Sequence, residues 1–87
     1  MRIFTYTLSS GSITIRNSDY VTQLSIQAND SSSCTILGSG TSFQALSPNA
    51  ITLENGENMT LTAPDNAPLD GITITWVSGT IDILIGK

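Results

Sequence analysis

The chain has 87 residues, 39% of them hydrophobic and only 11% charged, with a net charge of −4 and three basic residues, Arg2, Arg16 and Lys87. That is enough for one domain, 1–87, and too few clustered cations for phosphate-backbone or anionic-membrane binding. The absence of histidine and the single cysteine, Cys34, exclude His-activated nucleophiles and an internal disulfide.

The start, "MRIFTYTLSSG", alternates polar and apolar residues and lacks the continuous apolar core of a secretion signal, so synthesis in a cytoplasm is expected. From there strand patterns run end to end, with no apolar recurrence at helical spacing. "IFTYTL" (3–8) and "SITIR" (12–16) flank Ser10-Gly11, and a two-residue loop there predicts a hairpin pairing Leu8 with Ile13 and Tyr6 with Ile15. "TQLSIQA" (22–28) and "CTILG" (34–38) follow, then a weaker run, "SFQAL" (42–46). Cys34 is in phase with Ile36 and reads as a buried core thiol.

"AITLE" (50–54) and "NMTLTA" (58–63) surround Asn55-Gly56. A two-residue loop would mix core and solvent faces, so two options remain: a three-residue loop pairing Ile51 with Met59, which is preferred, or a crossing between sheets. "PDNAP" (64–68) cannot continue a ladder and is the preferred crossing point. "GITITWV" (71–77) and "TIDILI" (80–85) close the chain. With Ser78-Gly79 as loop they predict a hairpin pairing Val77 with Thr80, Trp76 with Ile81, Ile74 with Ile83 and Ile72 with Ile85. Trp76 falls on the core face. The fold class expected is all-β: a small antiparallel β-sandwich, jelly-roll-like, of about eight short strands.

Acidic residues sit mostly at turns, where hydrogen bonding and solvation are their ordinary work, so catalysis and cofactors are not expected. "DNAPLDG" (65–71) offers Asp65 and Asp70 as oxygen ligands but lacks calcium-loop spacing and a closing glutamate. A sandwich this short has a thin core, and domains of this size without disulfide or metal gain stability from partners. Ile3, Val77 and Leu84 fall on the outward face, and Tyr20 lies in the "NSDY" turn. These four form the candidate interaction surface, and a homo-oligomer, with a trimer favoured, is expected.

In style the chain resembles the small all-β accessory proteins of tailed bacteriophages, the head-decoration and spike modules. The likeness lies in "MRIFTYTLSSGSITIRNSD", "ITLENGENMTLTAP" and "LDGITITWVSGTIDILIG". It brings no diagnostic motif and no functional residue. It implies a non-enzymatic virion structural protein, made in a host cytoplasm, that binds a capsid lattice or another virion protein. The alternatives are a carbohydrate- or receptor-binding module of a phage tail or cell surface, for which Tyr20 is the one aromatic expected to be exposed, and a cytoplasmic interaction or inhibitor domain that caps a partner's sheet edge.

Overall fold

In a computed structural model, described over residues 2–38, 50–63 and 67–87, eight strands form two antiparallel sheets of four. They are β1 (Ile3–Leu8), β2 (Ser12–Ile15), β3 (Gln23–Ala28), β4 (Ser33–Gly38), β5 (Ile51–Glu54), β6 (Asn58–Thr62), β7 (Ile72–Ser78) and β8 (Ile81–Gly86), with a 3₁₀ turn at Asn17–Asp19. One sheet has the order β1-β8-β3-β6 and the other β2-β7-β4-β5. The weaker run at 42–46 lies outside the described residues, as do Pro64, Asp65 and Asn66 of the Pro64–Pro68 segment.

The order has a simple rule. β1 pairs with β8, β2 with β7, β3 with β6 and β4 with β5, as in one long antiparallel ribbon, and the pairs β3·β8 and β4·β7 close it on itself. A ribbon rolled this way is a jelly roll, and the sandwich expected from the strand spacing is the observed architecture. Every connection except β4–β5 passes from one sheet to the other. Both arms of the ribbon turn each corner together, so the corners bond to one another. Trp76 N–H donates to the Gly11 carbonyl (2.9 Å), Leu69 N–H to that of Val21 (2.8 Å) and Gly56 N–H to that of Ala28 (2.8 Å).

The topology corrects three predicted pairings. β7 and β8 are not a hairpin: Ile74 pairs with Ile13 and Ile36, while Ile83 pairs with Tyr6 and Ile26. β1 and β2 likewise lie in different sheets. At Asn55-Gly56 the chain crosses between sheets, the less preferred option, so Ile51 pairs with Ile36 and Met59 with Ile26. Side-chain parity is blind to this difference. Residues that face each other across a sandwich share an inward parity just as hairpin partners do. What turns the chain is backbone geometry: each of the six crossings contains a positive-φ residue, at Gly11, Tyr20, Ser31, Asn55 and Gly56, Gly71, and Gly79. The chain also changes sheet between β6 and β7, the stretch containing Pro64–Pro68.

The inward set is buried as alternation requires. Leu24, Ile26, Ile36, Ile72, Ile74, Ile81 and Ile83 are almost wholly inaccessible, with Cys34 among them. Trp76 is half-buried against this core, and its indole N–H donates to the Gly79 carbonyl at 2.8 Å. Val21 and Leu69 come from corners rather than strands and plug the core at one end. No strand pattern flags them.

Candidate functional site: the free edge and outer face of the β1-β8-β3-β6 sheet

The four sequence-selected surface residues are all exposed, but they do not meet. Ile3 and Leu84 share the outer face of the β1-β8-β3-β6 sheet, where Leu84 pairs with Thr5. Val77 stands on the opposite sheet, at the irregularity where Ser33–Cys34 meets Trp76–Ser78. Tyr20 follows the 3₁₀ turn in a left-handed conformation.

The same edge exposes two aromatics that alternation assigns to the core. Phe4 and Tyr6 are in phase with buried Leu8 and pair with Ile85 and Ile83, yet they are 37% and 50% exposed. β1 has six residues and its counterpart across the sandwich edge, β2, only four. A cleft of about 240 Å³ opens there, lined by the apolar Tyr6, Ile13, Ile15, Val21 and Ile85 and by Thr14, Asp19 and Lys87. The signal available in sequence was the unequal length of the two runs. At the end of β1 the Arg2 guanidinium and Lys87 ammonium lie 5.9 and 5.4 Å from the Phe4 ring centroid, within cation–π range.

The backbone of this edge has a definite polarity. Arg2 and Lys87 exchange both N–H···O bonds, at 2.9 and 2.8 Å. In an antiparallel ladder bonded pairs alternate with non-bonded ones, so Phe4, Tyr6 and Leu8 bond to β8 while Ile3, Thr5 and Thr7 direct N–H and C=O outward. No strand among the described residues pairs on that side.

The outer face of the sheet is concave, with a cavity of about 460 Å³ over it. Two cross-strand rows form its floor: Thr5, Leu84, Ser25 and Thr60, then Thr7, Asp82, Gln27 and Asn58. Their polar groups are partly tied together. Ser25 and Thr60 hydroxyls are 3.2 Å apart, and Asp82 accepts from Asn29 Nδ2 at 3.0 Å and from Thr7 Oγ1 at 3.5 Å. The three cations, Arg2, Arg16 and Lys87, lie at the end where β1 begins, with Asp19 and Asp70 beside them, and Asp30, Glu54, Glu57 and Asp82 lie toward the other.

Cys34 and three of the acids make structural contacts. Burial pushes the Cys34 thiol above its ordinary 9.0, opposed by a backbone hydrogen bond at Leu53. Asp19 accepts from Arg16 N–H (2.8 Å), Asp70 from Asn17 N–H (3.0 Å) and Glu57 from Glu54 N–H (2.9 Å). Asp65 lies outside the described residues, and among those described no three His, Cys, Asp or Glu side chains gather as metal ligands. Compared with known proteins, the chain matches no family model, no curated protein and no solved structure.

Proposed function

We propose that the chain is a non-catalytic assembly module, a virion accessory protein that decorates a capsid or builds a spike by binding other virion proteins and further copies of itself. The observation that supports this reading is the β1 edge. Native sheets blunt their edges with short strands, charges, proline or bulges. β2 and β5 are only four residues long, whereas β1 runs six uncharged residues and exposes Ile3, Phe4 and Tyr6 together. Such an edge suits docking rather than solvent. An antibody against the purified chain should label virus particles purified from the source cells, and the chain should appear in their mass spectra. Particles devoid of it would contradict the reading.

One observation favours a second reading, a carbohydrate- or receptor-binding module. The cavity over the outer face sets hydroxyl, amide and carboxylate groups, which suit sugar hydroxyls, within a lining that is more apolar than polar and includes Leu84 and Met59, and its volume is in the range of small-ligand sites. Tyr20, the aromatic chosen from sequence, is not among its lining residues. On this reading a glycan array gives hits that Gln27→Ala abolishes. Hits lost instead with Tyr20→Ala would place a sugar site at the 3₁₀ turn, and an array without hits would remove the reading.

A further inference from the structure

We propose that two copies of the chain join edge to edge through β1, related by a two-fold axis at Thr5, so that their sheets merge into one of eight strands. This deepens the assembly reading and rests on it, by naming the partner and the register.

The register follows from which groups β1 leaves unbonded. Ile3, Thr5 and Thr7 direct three N–H and three C=O groups outward. An antiparallel copy centred on Thr5 sets Thr5 against Thr5 of the second copy, and Ile3 against its Thr7. Donors then meet acceptors at every outward-facing residue of the strand. Sliding the copy by one pair of residues in either direction leaves some of these groups unmatched, and sliding by a single residue sets inward faces against outward ones.

Side chains favour the same register. In it Phe4 faces the second copy's Tyr6 and Tyr6 its Phe4, both at the closely spaced, non-bonded positions of the new ladder. These are the two inward-phase aromatics that one copy leaves partly uncovered. Facing aromatic pairs in a sheet are favourable beyond the area they bury. On the outer face the new pairs are Thr with Thr and Ile with Thr, beside Leu84. Arg2 falls opposite Leu8, so no like charges meet. β6, the other free edge of this sheet, has less to gain. Its inward residues Met59 and Leu61 already pack against the core of their own chain.

The partner is therefore a second copy, and the two-fold operator gives a dimer or an even-numbered assembly rather than a trimer. Two variants test it. Thr5→Pro removes an N–H that β8 does not use, which an edge strand tolerates, but deletes both bonds at the two-fold axis. Two lost hydrogen bonds should weaken the dimer roughly tenfold to a hundredfold. Thr5→Cys places two thiols across that axis at about 5.5 Å between Cα atoms, within disulfide reach, whereas Thr60→Cys, at the matching place on β6, gives no such pair.

The expected result by sedimentation is a dimer for the unaltered chain at micromolar to millimolar concentration. The Thr5→Pro variant should need a roughly tenfold to hundredfold higher concentration to dimerise, with its fold retained, and mild oxidation should cross-link Thr5→Cys but not Thr60→Cys. A monomer throughout that range, a trimer, or a dimer whose Thr60→Cys variant cross-links as readily as Thr5→Cys would overturn the proposal. Should Thr5→Pro fail to fold, the cysteine pair alone decides. A β1 dimer absent from virus particles would sink only the virion reading, and labelled particles whose chain never cross-links at Thr5 would sink only the edge pairing.

Discussion

Among the described residues β1 and β6 are the two unpaired edges of one sheet; they carry the same alternation and end up differently. A single inward row runs across them: Tyr6, Ile83, Ile26, Met59. Ile83 and Ile26 in the middle are almost fully buried, Met59 at the β6 end is half-buried against the core, and Tyr6 at the β1 end is half exposed. Pattern and parity are identical at the two ends, so neither explains the difference. What differs is cover. Where β1 outruns β2 the sandwich gapes. An edge that the fold completes contributes to the stability of the monomer, and one that it leaves open contributes to association.

That distinction can be broken by truncating the row. Ile83→Ala should cost about 3–4 kcal/mol in urea unfolding, as a buried isoleucine whose site cannot collapse. Met59→Ala should cost roughly 1–2 kcal/mol, the discount reflecting its partial burial. Tyr6→Ala should cost less than about 1 kcal/mol in the monomer while weakening self-association. If Tyr6→Ala destabilised the monomer as much as Met59→Ala, the two edges would be alike and the comparison would fail.

The corners extend the same contrast between closed and open places. A Cβ on Gly79 would lie 2.8 Å from the Ser32 Cα, whereas one on Gly11 would meet nothing within 4 Å; both residues have φ of +70°. Ser32 is itself buried, and its hydroxyl accepts from Thr80 N–H at 2.7 Å, tying the β7–β8 corner to the β3–β4 corner. Gly79→Ala should therefore cost about 2–4 kcal/mol and Gly11→Ala only about 1 kcal/mol, the cost of the left-handed backbone alone. Equal costs in thermal unfolding would show that the Ser32 contact yields without penalty.

The smallest effect expected is at Cys34, which reports on the core from the opposite sheet. Its thiol is buried and its folded pKa lies above the unfolded value. The unfolded chain therefore releases the proton first. Stability from this group is intact below the ordinary thiol value of 9.0 and declines as pH rises from there through the folded value. Cys34→Ala should remove that part of the alkaline decline. In the unaltered chain at neutral pH, Cys34 should resist alkylation, and Ile83→Ala should speed labelling far more than Tyr6→Ala.

Strand positions were legible in the sequence because period-2 alternation is a local property of extended chain. The eight clear runs match the eight strands to within about two residues. Which strands pair was not legible. The Ser-Gly links at Ser10-Gly11 and Ser78-Gly79 look like hairpin turns, and alternation gives the same parity for strands paired in one sheet and strands stacked across the core. At Asn55-Gly56, though, the mismatch of parity did carry the crossing as a stated option. For the surface, the pattern picked out Ile3 and Leu84 on the shared face. It could not reveal Phe4 and Tyr6, whose exposure depends on how far a neighbouring strand reaches. Val21 and Leu69 escaped for a related reason: corner residues carry no periodicity, and they enter the core only because paired corners fold over its end.

Amide hydrogen exchange along β1, followed by NMR at increasing protein concentration, tests the open edge most directly. At dilution Phe4 and Tyr6 amides, bonded to β8, should be protected while Ile3, Thr5 and Thr7 exchange freely; at high concentration all five should be protected, with the outward amides of β6 at Asn58, Thr60 and Thr62 still fast. Uniform protection of β1 at every concentration, or protection that grows on β6 instead, would contradict it.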